Sequence, residues 1–348
     1  MRSLICDLES FCYSTFILFI LSGYGFAETP PYIGKDDLFQ KQLAIGTDDI
    51  DQSNYNFGKI GGITTDTKGN IYVGDNGLYR ILKFSPKGQF LHSFGGGNGI
   101  KPGEFMDLRG IAVDKDNNLF VADFRMQQIT IFQEDGTLLR IIETSMMPYS
   151  LVIDKEGSFY VIGLPSSFKG PLIHKYDASG QFVMAFCDRE GIPDLALQSG
   201  NMGRIAIDSD QHIYYALPYP YEIRKFSSDG KPLDTIERPD AGIAPPMEDE
   251  TSPVIIMGCA SKGLAVLPDG KIANVFTRLI DRHSNEMEYY FDLFSLKGDL
   301  LLTVSLSDCI EHYSGSFQFH ADKDGYVYLD QFGSYPSIVK FALNYYQN

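Results

Sequence analysis

One pattern recurs six times along the chain. An apolar residue is followed eight positions later by another, with a polar turn between them: Ile63/Ile71, Ile111/Leu119, Leu151/Phe159, Ile205/Ile213, Leu264/Ile272 and Phe319/Val327. Five of the six units place Asp three residues after the first apolar position (Asp66, Asp114, Asp154, Asp208, Asp322), and most of the turns continue with Gly, Asn or Asp. Short polar side chains bond their own main chain and such residues tolerate a sharp reversal, so each pair reads as two strands joined by a tight hairpin. Further on, each unit has an apolar-x-x-aromatic segment, ending at Phe84, Phe132, Tyr176, Phe226, Phe294 and Phe341. In the first five units a Gly follows four residues later and a fourth apolar segment comes next. Four antiparallel strands repeated every 40 to 59 residues predict an all-β chain, a six-bladed β-propeller of four-stranded blades.

The sixth unit runs out of chain after Phe341, too soon for a full fourth strand. Residues Leu38 to Ile45 (LFQKQLAI) precede the first unit and are apolar enough to supply it. Pairing them with the last blade closes the ring and leaves no open seam at its ends. Ahead of them, the apolar run Phe16 to Leu21 followed by Gly25 and Ala27 reads as a secretory signal over residues 1–27, although Asp7 and Glu9 sit beside a lone Arg2. The expectation is a single domain over 28–348, secreted or periplasmic, with an anchor formed by an uncleaved signal as the alternative. The run is short of the roughly 20 residues a membrane span needs.

Charge narrows the partners. With 29 Lys and Arg against 45 Asp and Glu the formal charge is −16, and no basic run offers a grip on nucleic acid. Cys187, Cys259 and Cys309 lie beyond the signal, so at most one disulfide forms within the chain. No CxxC spacing points to zinc or redox work.

The stretch Gly103 to Ile142 (GEFMDLRGIAVDKDNNLFVADFRMQQITIFQEDGTLLRII) resembles an NHL repeat, and residues 57–94 resemble a second. The other units are looser: the fifth has Leu267 where Asp is expected, and the third and fifth carry insertions. The resemblance spans about residues 38–345 and implies a ring of the TolB-like propeller type. It implies no one activity, because relatives of this kind include peptide-amidating lyases, lactonases, sensor ectodomains and protein- or RNA-binding scaffolds.

In a meander of this order the first-to-second and third-to-fourth turns share one face, and all other connections share the opposite face. The first set is short. The second is long and dissimilar, at 95–109, 187–204, 238–262 and 305–316, with insertions around 163–171 and 277–289, and long irregular connections mark the binding face. Residues opening the first strands should ring the central channel there: Arg109, Tyr149, Arg204, Lys262 and Phe317, with Gly61 leaving a gap in the first blade. Asp75 and Asp123 end second strands toward the same rim and are counted with the ligand-binding set, although tying neighbouring strands is their commoner use. The ring fits a small molecule, peptide or protein partner bound by a monomer without a cofactor. The alternative is a metal-dependent lyase or hydrolase in which His283, His312 and His320 converge between the fifth and sixth units and hold zinc. The amidating lyases among such relatives hold zinc by His in a propeller. Calcium has weaker candidates, Asp48, Asp49 and Asp51 and the DxD turns, without a complete EF-hand spacing.

Overall fold

The computed structural model describes residues 38–345 apart from 48–51, 199, 250–251, 257, 259–260, 282–285, 307–316 and 333. The segment 1–27 therefore lies outside the described residues, as do Asp48, Asp49 and Asp51.

The first strand, β1 (Phe39–Ile45), precedes the ring. Blade 1 holds β2 (Ile60–Thr65), β3 (Ile71–Asp75), β4 (Arg80–Phe84) and β5 (Phe90–Phe94). Blade 2 holds β6 (Leu108–Val113), β7 (Leu119–Asp123), β8 (Gln128–Phe132) and β9 (Leu138–Glu143). Blade 3 holds β10 (Met146–Ile153), β11 (Phe159–Pro165), β12 (Ile173–Tyr176) and β13 (Phe182–Phe186). A short helix α1 (Asp194–Gln198) leads into blade 4, made of β14 (Arg204–Ile207), β15 (Ile213–Ala216), β16 (Glu222–Phe226) and β17 (Pro232–Glu237). A two-stranded hairpin, β18 (Met247–Asp249) and β19 (Ser252–Ile256), separates it from blade 5, made of β20 (Gly263–Val266), β21 (Ile272–Asp281), β22 (Glu286–Phe294) and β23 (Leu300–Ser305). Blade 6 holds β24 (Phe319–Ala321), β25 (Tyr326–Phe332) and β26 (Pro336–Leu343), and its fourth strand is β1, which pairs antiparallel with β26 from Phe39↔Leu343 to Ile45↔Ile338. Phe39 locks that strand in place, its ring edge-on to Phe291 at 5.1 Å and to Phe341 at 5.6 Å.

The fifth-unit insertion differs from the sequence reading. Residues 277–281 and 286–289 are not a loop but a continuation of β21 and β22, paired antiparallel from Ile272↔Phe294 outward to Asp281↔Glu286 with one slip between Leu279 and Asp281.

The hairpin aspartates explain why the repeat keeps them. In blade 1, Asp66 Oδ1 accepts the Lys68 and Asn70 main-chain N–H groups, closing the turn. Its Oδ2 accepts the Tyr72 hydroxyl, and Lys83 on the third strand lies 4.9 Å from the centre of the Tyr72 ring. The same Asp–Tyr–Lys stack recurs as Asp154–Tyr160–Lys175, Asp208–Tyr214–Lys225 and Asp322–Tyr328–Lys340. Blade 2 keeps the turn carboxylate but has Phe120 and Ile131 at the other two positions, and blade 5 has Leu267, Ala273 and Leu293. The Tyr and Lys thus go together: where the Tyr is replaced by an apolar residue, the Lys is too, whether or not the turn Asp is kept. In the DxD turns the first carboxylate, Asp114, Asp208 or Asp322, likewise accepts two main-chain N–H groups and closes the turn.

Candidate functional site

The inner strands β2, β6, β10, β14, β20 and β24 stand around a central channel of about 360 Å³. Glycines let the inner strands approach closely at two points: a Cβ on Gly62 would come within 2.9 Å of the Ile111 side chain, and one on Gly110 within 2.9 Å of the Ser150 Cα. Most of the wall is small or aliphatic, as at Ala112, Val152, Ala206 and Ala265.

The mouth on the long-loop face is where polar chemistry gathers. In each of the first three inner strands the pairing slips by one residue, skipping Gly61 in β2, Arg109 in β6 and Tyr149 in β10. Such bulges leave a residue out of the ladder and re-aim its side chain. The chain thereby presents Arg109 and Tyr149 to the mouth, while Arg204 opens β14 directly after Gly203, which has a φ of 75°. Gly61, the third bulged residue, has no room for a side chain, since a Cβ there would meet the Leu108 carbonyl at 2.4 Å.

Tyr149 is 6% exposed and lies between two guanidiniums, 5.1 Å from Arg204 and 5.8 Å from Arg109 measured to the ring centre. Burial alone raises a phenol's pKa, but the positive charges of Arg204, Lys262 and Arg109 outweigh it and hold the Tyr149 hydroxyl below its ordinary range. Arg109 is gripped by Asp107, with Nε at 2.8 Å and Nη2 at 2.9 Å, and also faces the Phe124 ring. Arg204, 9% exposed, donates to the main-chain carbonyls of Gly203 and Phe317 at 2.9 Å each. Among the described residues no carboxylate oxygen lies within 4.0 Å of it.

A buried carboxyl stands near Arg204. Asp330, on β25, accepts the Gln318 N–H at 2.7 Å. Counted from the first apolar residue of the second strand, its position is held by Gly74, Ala122, Ile162, Ala216 and Val275 in the other blades. Burial pushes its carboxyl up to about 7, against the opposing pull of the Gln318 N–H and the Arg204 charge.

Several sequence expectations change. Asp75 and Asp123 do not reach the rim: both are fully buried. Asp75 accepts the N–H groups of Gly58, Lys59, Gly77 and Leu78, and Asp123 those of Met106, Asp107, Arg125 and Met126. They staple the connections that carry the mouth and have no capacity left for a ligand. Phe317 is likewise buried, against Tyr289, and contributes its carbonyl rather than its ring. Lys262 is half-buried, is not among the residues lining the channel, and acts on Tyr149 through its charge.

His320 does line the channel, but near its opposite, short-loop end, where its Nε2 is 2.9 Å from Thr65 Oγ1. Burial pushes its imidazole down to about 4, only partly offset by Asp322. His283 and His312 lie outside the described residues, as do Cys259 and Cys309. Among the described residues no group of three or more His, Cys, Asp or Glu is placed to hold a metal ion. Cys187 is a buried free thiol. Sequence reasoning missed Asp107 and Asp330. The first carried no signal, whereas the second breaks a run of small and apolar residues that aligning the six units brings out.

Comparison with known proteins agrees with this architecture. Residues 52–223 match the profile of a family, DUF5128, described as a 6-bladed β-propeller. The ring also superposes on solved structures. A candidate exported protein from Bacteroides fragilis gives a TM-score of 0.61 at 12% identity over 90% of this chain and 97% of that one. Virginiamycin B lyase from Staphylococcus aureus gives 0.54 at 11% identity over 88% and 99%. A member of the DUF4221 family from Bacteroides vulgatus gives 0.54 at 8% identity over 87% and 97%. The chain is a six-bladed β-propeller. At these identities the likeness is one of fold alone, and no curated protein matches the sequence. Among the described residues no helix is long and apolar enough to cross a membrane.

Proposed function

We propose that this chain is an exported, monomeric, NHL-type propeller that binds a ligand at the long-loop mouth of its channel, without a metal or other cofactor. The observation that carries the reading is the convergence of Arg109, Tyr149 and Arg204 on that mouth, two of them re-aimed by bulges. Bulges beside a channel are the means by which a regular sheet offers a side chain to a guest. The residues 1–27, with their secretory pattern, and the candidate exported protein of the same fold support the location. The alternative of a metal-dependent lyase or hydrolase finds less support, because His320 stands at the far end of the channel from the arginines and is engaged by Thr65.

A thermal-shift screen of sugars, peptides and small acids against the chain from residue 28 onward tests the reading, since any ligand favouring the native state raises its melting temperature. The shift should vanish in the Arg109→Glu, Arg204→Glu double variant and persist in Lys115→Glu and Lys323→Glu, on the opposite face. Equal loss on both faces would discard the long-loop mouth as the site.

A further inference from the structure

Resting on that reading of the mouth, we propose that its guest is an organic anion: a carboxylate held by Arg204 and Arg109, with an apolar body lying along the channel wall. The first support is unused donor capacity. A guanidinium has five N–H donors. Arg109 commits two of them to Asp107, Arg204 commits two to main-chain carbonyls with Asn201 Oδ1 at the limit of contact at 3.5 Å, and both interact with the Tyr149 hydroxyl. Both cations are held in place by the protein and both have N–H groups left to give.

The second support is charge. The chain as a whole is strongly acidic at −16, yet two cations, Arg109 and Arg204, line the mouth, and a third, Lys262, is near enough for its charge to act on Tyr149. The charged and titratable groups answering them are Asp107, already paired with Arg109, the phenol of Tyr149, and Asp330. Asp330 accepts main-chain N–H groups, that of Gln318 at 2.7 Å, and, with its affinity for a proton raised to near neutrality, offsets Arg204 only in part. A guanidinium as enclosed as Arg204 with neutral partners is an expensive arrangement unless an anion completes it. A carboxylate suits it, because two parallel N–H groups of one guanidinium match the spacing of its two oxygens.

The third support is shape. Below the arginines much of the wall is Gly110, Ala112, Val152, Ala206 and Ala265, which offer methyl groups and backbone, while Asp66, Asp322 and Lys323 lie at its far, short-loop end. A volume of about 360 Å³ falls within the range of about 300–1,000 Å³ typical of small-molecule pockets. A bare inorganic anion would leave that surface unused, and an uncharged apolar guest would leave the arginines unanswered.

Isothermal titration calorimetry with hexanoate, hexanol, hexylamine and acetate tests the assignment. Hexanoate is expected to bind the wild type at neutral pH at least tenfold more tightly than each of the other three. Arg204→Gln and Arg109→Gln are each expected to weaken it at least tenfold. Should Arg204→Gln fail to fold, Arg109→Gln, at a more exposed side chain, decides alone. Failure of hexanoate to bind, or unchanged affinity in the folded arginine variants, overturns the proposal. Hexanol bound as tightly as hexanoate, and lost in the channel-plugging Ala112→Trp, would overturn the anion class while leaving the mouth as a binding site. Hexanoate retained in both arginine variants but lost in Lys155→Glu, on the short-loop face, would overturn the anion assignment and the choice of face together.

Discussion

Replacing Asp330 with Asn removes a carboxyl that the fold keeps protonated up to about neutral pH. Its ordinary pKa of 3.8 is raised by burial to about 7 in the native chain. At pH below 3.8 both folded and unfolded chains hold the proton, and the stability it confers is fully present. Between about pH 4 and 7 the unfolded chain releases the proton while the native chain keeps it, so stability falls as pH rises, by about 1.4 kcal/mol per unit. The loss totals about 4 kcal/mol once the pH passes the native pKa, and is flat beyond it. Arg204 is the counterweight: without its charge the native pKa climbs further and the loss extends to higher pH. Urea unfolding of wild type and Asp330→Asn at about pH 5, 6.5 and 8 measures the effect. The variant gains on the wild type at each step, and the gap widens most between the first two conditions. Stability curves that stay parallel from pH 5 to 8 would show that Asp330 is solvated and would refute the reasoning about its burial.

Phe39→Ala should cost about 3 kcal/mol, at the low end of buried Phe truncations because its strand is outermost, and a change under about 0.5 kcal/mol in chemical denaturation would mean that β1 does not close the ring. Lys83→Met removes a nearly buried ammonium that bridges Glu134 at 2.8 Å and Asp66 at 3.6 Å; it should cost about 1–3 kcal/mol, while Lys115→Met, at an exposed turn, stays within about 0.5 kcal/mol. His320 works in the opposite sense to Asp330: its native pKa is lowered from 6.5 to about 4, so its contribution is complete above pH 6.5 and is lost as pH falls through about 4. His320→Asn should flatten that acid limb in the same urea series. Elemental analysis of the purified protein should find no stoichiometric zinc or calcium, and a bound ion lost on His320→Ala would reverse that expectation.

The ring was legible because its grammar is local. An Asp three residues into a unit, a turn residue and a second apolar position eight residues on are all set by one hairpin, whose geometry leaves few residue types to choose from. The site was legible only in part. Arg109, Tyr149 and Arg204 could be placed by counting to the start of each first strand, but the bulges at 109 and 149 have no signature in a single chain, and they decide where those side chains aim. Asp75 and Asp123 were misassigned because a carboxylate at a strand end looks the same whether it faces solvent or four backbone N–H groups. His320 was put on the wrong face for a simpler reason. It sits one position into β24, and a three-residue strand places its middle near the far turn rather than the mouth.

The pairing of Phe39 with Leu343 has a geometric corollary. The outermost strand of the last wedge begins where its neighbour finishes, so the polypeptide arrives and departs side by side, at the rim and on the side of the short hairpins. The arginine-lined opening looks the other way. A tether leaving straight from Phe39 or Leu343, whether a leash to a surface or a fused partner, would hold the ring from behind and leave that opening turned outward to whatever diffuses past.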